Sequence, residues 1–223
     1  DIVLIFSISP FTFIYSLILK LLYPKSKFFL YIQSDRKKEV EIKVNQFASF
    51  LFSISEKLIR SFSTVIRASE KKFYENEILI SPSVIEKHWY SKQKVNFKQQ
   101  NIKILYVGRI RKEKGIFSLI SLIEMAKINV QLTIVGNKEK IKFKSNFKII
   151  DKGFIVKNED LKNEYDNNNI TIIPSFTESY SKVIDESLSR LRPVLIFNEI
   201  KHLSNHRKGI FVCERTPSSL KEK

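Results

Sequence analysis

The chain has 223 residues, 43% of them hydrophobic, and a formal net charge of +16. That length allows one large or two small packed domains, and the apolar content excludes a disordered chain. The single cysteine, Cys213, excludes a disulfide scaffold and a cysteine zinc site, and it fits a reducing compartment.

The charge leaves two kinds of reading open. One is a solvated, lysine-rich surface; the other is an anionic ligand, membrane surface or nucleic acid. Nucleic acid is the least favoured, because the lysines are scattered and not interleaved with aromatic stacking residues or a recognised binding motif.

In chain order, Ile2 to Leu22 contains 21 residues with one charge, Lys20, which raises the question of a membrane span. Pro10 divides the run, with Ser7, Ser9 and Thr12 around it. The two parts read better as a buried parallel strand, Ile2–Phe6, and a helix, Phe11–Leu22. No basic stretch precedes them, so a secretory signal is not indicated. Further strands are expected at Phe28–Ile32, Thr64–Ala68 and Ile78–Ser81. Helices are expected at Val44–Ser61 and Ser69–Glu75, with Gln33–Ile42 as a charged loop. The polar stretch Lys92–Asn101 reads as an interdomain linker. The alternation then resumes. Strands fall at Ile102–Val107, Val130–Val135, Phe147–Ile150, Ile170–Ile173, Pro193–Phe197 and Ile210–Val212. Helices fall at Lys114–Lys127, Glu159–Tyr165 and Tyr180–Leu191. Repeated strand–helix units imply α/β architecture with parallel sheets: two Rossmann-like domains facing a cleft, divided as 1–95 and 96–223.

Two constellations carry chemistry. The first is Tyr106-Val107-Gly108-Arg109-Ile110-Arg111-Lys112-Glu113-Lys114-Gly115, where a strand gives way to a helix. Gly108 lets the backbone turn without a Cβ clash. Arg109 and Lys114 are then placed at a strand's carboxyl end, where ligands of open α/β sheets bind. Arginine offers forked donors and lysine a point charge, so the two can neutralise a diphosphate. The second is Pro174 through Glu186, in which Glu178 and Glu186 have seven residues between them. The spacing puts Glu178 at the strand-to-helix turn and Glu186 about 12 Å further along the same helix. The first-turn N–H groups between them are unpaired and partly positive. An elongated anionic ligand with hydroxyls at both ends, such as a nucleotide sugar, fits that spacing. Taken singly, each residue has a plainer reading as a solvated surface charge; the conjunction is what points to a site.

These residues resemble family 4 of the nucleotide-sugar glycosyltransferases, the group 1 glycosyltransferases of GT-B fold. The likeness is strongest in Val107-Gly108-Arg109 to Lys114-Gly115, in Leu132-Thr133-Ile134-Val135-Gly136 and in Pro174-Ser175 through Pro193-Val194. It is weaker in Asp1–Phe6, in Val65 to Ser69 and in Ile78 to Val84. The resemblance implies a retaining, metal-independent transfer from a nucleotide-diphosphate sugar, with no cofactor. It implies that Arg109 and Lys114 hold the diphosphate and act with Glu178, which faces the donor sugar, as the catalytic set. Glu186 would accept hydrogen bonds from the ribose. Gly108, Ser179 and the N–H groups of Tyr180, Ser181 and Lys182 would contact the donor, and Gly153, Phe154 and Ile155 would line the base pocket. The implied acceptor is a glycan or lipid-linked molecule bound by the first half, in cell-surface polysaccharide synthesis. The implied location is cytoplasmic, peripheral on an anionic inner membrane face.

This chain departs from the family pattern in places. Ser179 and Ser181 stand where glycines are common, and so do Leu191 and the Ile200-Lys201 region. Gln33, Ser34 and Asp35 replace a histidine near the transferred sugar, so His88, His202 and His206 are read as surface or structural. The sequence opens at Asp1 without a methionine and stops soon after Leu220. The expectation is an incomplete N-terminal domain and a C-terminal domain lacking its last helices. A rival reading is a non-catalytic nucleotide-sugar-binding fragment; a basic nucleic-acid binder is disfavoured by the paired carboxylates, which repel phosphates.

Overall fold

A computed structural model describes residues 1–33, 36–69, 74–80, 84–93, 101–136, 143–204 and 207–222. It divides into two compact units: Asp1–Ser83 with Thr177–Tyr180, and Val84–Phe176 with Ser181–Lys223.

The first unit is built on four parallel strands, β1 (Ile2–Phe6), β2 (Lys27–Ile32), β3 (Ser63–Ala68) and β4 (Ile78–Ile80), paired in sequence order. Helix α1 (Pro10–Leu22) follows β1. Pro10 begins this helix, because its fixed φ suits the first helical position. Ser9 and Thr12 cap the helix reciprocally. At 1.5 Å per residue α1 is about 20 Å long, short of the ~30 Å apolar core of a bilayer. Among the described residues no helix is long and apolar enough to cross a membrane.

The expected charged loop at 33–42 is instead largely a helix, α2 (Arg36–Lys43). It buries no residue, so it has no apolar stripe for periodicity to reveal. A Glu39–Lys43 pair one turn apart, at 3.2 Å, supports it. Helix α3 (Gln46–Phe62) starts where Asn45 accepts the Ala48 N–H at 2.8 Å. The core of this unit packs Ile5, Phe28, Leu30, Ile32 and Val65 of the sheet against Phe13 and Leu19 of α1 and Ile59 of α3. On the other face, Phe6, Tyr31, Ile66 and Ile78 form one cross-strand row. Arg67, in the weaker of the family-like segments, is buried and donates twice to Glu77, a structural ion pair. The expected helix Ser69–Glu75, the end of the expected strand at Ser81 and the linker Lys92–Asn101 lie largely outside the described residues.

The second unit holds six parallel strands: β5 (Ile102–Val107), β6 (Val130–Val135), β7 (Lys148–Gly153), β8 (Ile170–Ile173), β9 (Val194–Phe197) and β10 (Ile210–Cys213). Their order across the sheet is β10-β9-β8-β5-β6-β7. Helices α4 (Ile116–Ala126), α5 (Asn158–Asn167), α6 (Lys182–Ser189) and α7 (Pro217–Glu222) complete it. Apolar β-branched strands buried on both faces explain the parallel sheet. Ile104, Tyr106, Ile172 and Phe197 meet Ile116, Leu119, Ile120 and Ile123 of α4 and Leu220 of α7 on one face. Leu105 and Val135 meet Tyr165 of α5, and Ile173 and Ile196 meet Ile184 of α6, on the other.

Strand β7 runs past the expected Ile150 to Gly153, through charged Asp151 and Lys152, because it is an edge strand. The expected helix at Lys114–Lys127 begins with a 3₁₀ turn, Lys112–Lys114, and turns α-helical only after Gly115. The expected helix at Tyr180–Leu191 is shorter at both ends, Lys182–Ser189.

Leu191 explains why a glycine suits this position. Its φ is +56°, the left-handed region that follows a helix end. A side chain there costs about 1–2 kcal/mol, whereas glycine enters freely. Leu191 is 42% exposed, so little packing is lost on its removal. Leu191→Gly is expected to raise the urea midpoint by the equivalent of up to about 1 kcal/mol, net of the backbone entropy glycine adds.

Candidate functional site

The sheet order of the second unit has a switch point. From β5 the chain moves outward to β6 and β7, then returns to the far side of β5 for β8, β9 and β10. The helix after β5 packs on one face and the helix after β8 on the other. At such a point the two loops diverge and leave a crevice at the carboxyl ends of the strands. The two loops are 108–115 and 174–181, the two segments singled out from sequence.

The loop after β5 is stapled to its neighbours. Gly108 donates its N–H to the Val135 carbonyl at 2.8 Å, and the Tyr106 hydroxyl donates to the Arg109 carbonyl at 2.8 Å. This sets the Arg109 backbone and leaves its side chain exposed; Lys114 is half-buried in the 3₁₀ turn. Gly115 follows with φ +70°, and a Cβ built there would lie 2.0 Å from the Pro174 carbonyl oxygen. The Phe176 N–H donates to the Glu113 carbonyl at 2.9 Å. The loops after β5 and β8 are therefore in direct backbone contact, and the glycine is what allows it.

Arg215 fixes the second loop from behind. It donates to the Pro174 carbonyl at 2.9 Å and to Glu199 at 2.6 Å. Its guanidinium lies 4.2 Å from the Phe176 ring centre and 4.3 Å from that of Phe197. Both contacts are favourable cation–π geometry. Sequence reading missed this residue, because an arginine in a basic chain carries no local signal of burial.

Helix α6 begins at Lys182, with Ser181 as N-cap, so Glu178 stands in the strand-to-helix turn as expected, and the helix that carries Glu186 starts two residues later than expected. Glu178 is half-buried and belongs with Ser179 and Tyr180 to the segment grouped with the first unit. No side chain caps α6. Ser179, two residues before the cap, is 2% exposed, and its hydroxyl has no hydrogen-bond partner. A buried hydroxyl without a partner costs free energy unless something else satisfies it.

Glu186 lies in the second turn of α6 and is 5% exposed. Its Oε2 accepts from the Tyr165 hydroxyl at 2.8 Å, and its Oε1 is 3.3 Å from Lys182 Nζ. Burial, and then the neighbouring carboxylate, push the Tyr165 phenol well above its ordinary range.

Gly153, at the end of β7, accepts the Gly136 N–H at 2.8 Å, and a Cβ on Gly136 would lie 2.6 Å from the Gly108 carbonyl oxygen. The ends of β5, β6 and β7 are thereby drawn together, and Gly153-Phe154-Ile155 leaves the sheet at the same carboxyl end as Gly108. Phe154 is exposed and Ile155 packs beside Tyr165 and Leu105. Of the histidines, His88 is exposed beside Glu86, His202 is half-buried, and His206 lies outside the described residues. Among the described residues no group of three or more His, Cys, Asp or Glu side chains is placed to hold a metal ion.

A model of the family described as "Glycosyl transferases group 1" matches residues 88–223, more than half of the chain and all of the crevice just described. The chain belongs to the group 1 glycosyltransferase family. No curated protein matches it by sequence. Among solved structures, it is similar to a sucrose-phosphate synthase from Thermosynechococcus elongatus, with TM-score 0.69 and 17% identity, covering 99% of this chain and 62% of that one. It is similar to HepE of Anabaena, solved with UDP and glucose, with TM-score 0.65 and 15% identity, covering 98% and 66%. It is also similar to WaaG, a glycosyltransferase involved in lipopolysaccharide biosynthesis, with TM-score 0.60 and 16% identity, covering 95% and 71%. At these identities the likeness establishes the GT-B fold. The chain spans 62% and 66% of the lengths of the first two.

Proposed function

We propose that this group 1 family member binds a nucleotide-diphosphate sugar in the crevice between the β5 and β8 loops and passes the sugar to a glycan or lipid-linked acceptor. The observation that carries the reading is the α6 N-terminus. It has no side-chain cap, the partnerless Ser179 hydroxyl stands just before it, and it follows the switch-point loop. Free N–H groups and a positive dipole end favour an anion such as phosphate there. In this reading Arg109 and Lys114 bear on the diphosphate and stabilise the charge that grows on it as the sugar departs. Glu178 faces the donor sugar, and Glu186 accepts hydrogen bonds from the ribose. Gly153, Phe154 and Ile155 border the base. The chemistry is a retaining transfer without a metal or cofactor.

The acceptor belongs in the first unit. Ser7, Ile8, Ile32, Gln33, Arg36, Phe52 and Glu56 line a shallow recess at the carboxyl ends of β1 and β2. Peripheral attachment to an anionic inner membrane face, on the cytoplasmic side, is part of the same reading. Phe11, Ile14, Tyr15, Ile18 and Leu22 of α1 are exposed at helical spacing beside exposed Lys25 and Lys27, on a chain of net charge +16. Synthesis of a cell-surface polysaccharide is the setting that agrees with it.

A thermal-shift screen across UDP-, GDP- and ADP-sugars tests the ligand class. A ligand at a hundred times its Kd stabilises the folded chain by about 2.7 kcal/mol, and only nucleotides of the preferred base will do so. No shift with any of them would overturn the reading. Binding without transfer to any acceptor would favour the non-catalytic alternative.

A further inference from the structure

Glu186 is the ribose-facing group in the reading above, and its carboxylate is not left to choose its own position. The side chain of a glutamate has three rotatable bonds, and fixing it on binding costs affinity unless the free protein has fixed it already. Here Tyr165 of α5, 21 residues earlier in the chain, donates its hydroxyl to Oε2 at 2.8 Å. Lys182, one turn before Glu186 on α6, lies 3.3 Å from Oε1. Oε2 thus has a buried hydrogen bond from another helix, and Oε1 an ion pair with a half-exposed lysine, so Tyr165 is the partner that does most to orient the group.

Tyr165 is itself held on every side. It is 0% exposed. Its ring meets Trp89 edge-on at 6.2 Å and packs with Leu105 and Val135. Its backbone carbonyl accepts from Arg192 Nε at 3.1 Å. A phenol buried this deeply is tolerated only where its hydroxyl finds a partner, and phenylalanine would fill the same space without that requirement. The partner it finds is the one acidic side chain of α6 that faces α5.

We propose that Tyr165 is a positioning residue for nucleotide binding. It orients the Glu186 carboxylate so that the remaining lone pairs on both oxygens are offered as a matched pair to the vicinal hydroxyls of a ribose. The proposal rests on the nucleotide reading of the crevice. It adds that recognition of the ribose is built by α5 as well as α6.

The test is the Tyr165→Phe variant of the full chain, titrated with UDP, GDP and ADP and, for the base that binds best, with its 2′,3′-dideoxy diphosphate. A melting curve of each protein checks that the variant is folded. Unmodified protein is expected to bind the ribose form more tightly than the dideoxy form. Tyr165→Phe is expected to weaken the ribose form about tenfold, the size of one hydrogen bond to a charged group, and to leave the dideoxy form unchanged. A purely structural tyrosine would weaken both forms equally or neither, and either outcome overturns the positioning role while leaving nucleotide binding intact. Failure of the unmodified protein to bind any of the nucleotides overturns the crevice reading itself, and the role of Tyr165 with it.

Discussion

Gly115→Ala is expected to cost about 2–5 kcal/mol of folding free energy, a large share of the 5–15 kcal/mol that holds a typical domain together. Two effects add. A left-handed φ of +70° is disfavoured for any residue with a Cβ, by about 1–2 kcal/mol. The added carbon would also lie 2.0 Å from the Pro174 carbonyl oxygen, a backbone atom that cannot rotate away. Relief requires the β5 and β8 loops to part, at about 1–3 kcal/mol for overpacking of this kind. Arg215 resists that movement through its hydrogen bond to the same carbonyl at 2.9 Å. Equilibrium urea unfolding measures the loss. A midpoint within error of the unmodified chain would mean that the two loops do not approach as described.

The second large effect is on binding. Glu186→Ala removes the ribose-facing carboxylate and leaves the Tyr165 hydroxyl buried without its partner. Nucleotide affinity is expected to be lost, with a stability cost of about 1–3 kcal/mol for the orphaned hydroxyl. Glu186→Gln separates the two consequences. The amide oxygen can still accept from Tyr165, so stability should hold, while affinity falls about 10–100-fold with the loss of the charged acceptor. Calorimetric titration beside a melting curve reads both. Unchanged affinity in a folded Glu186→Gln protein would remove Glu186 from the site.

Much of the second unit was legible in the sequence. Ile102–Val107, Val130–Val135 and Ile170–Ile173 are apolar runs with turn residues at their ends, and their bounds were found as the structure has them. Elements without apolar periodicity were not found. Arg36–Lys43 has no buried face, and Pro217–Glu222 is too short to show a pattern. The start of α6 is expected two residues early, at Tyr180 rather than Lys182; Ser181 is the better N-cap residue type, but it makes no side-chain cap hydrogen bond. Of the glycines in the first motif, Gly108 reads as a turn former from sequence. The contact between Gly115 and Pro174 was beyond sequence, since it depends on how two loops meet across the sheet. The same holds for Tyr165 and Arg215. Their partners stand 21 and 41 residues away, at Glu186 and Pro174, and only the sheet order brings them together.

Hydrogen–deuterium exchange with and without a saturating nucleoside diphosphate tests the central claim most directly. Backbone N–H groups that take up a phosphate stop exchanging, and those elsewhere keep their rates. Protection is expected over 108–115 and 179–186, with the strands of the first unit, 2–6 and 27–32, unchanged. Protection confined to the Ser7–Arg36 recess, or none under saturating UDP, GDP or ADP, would contradict it.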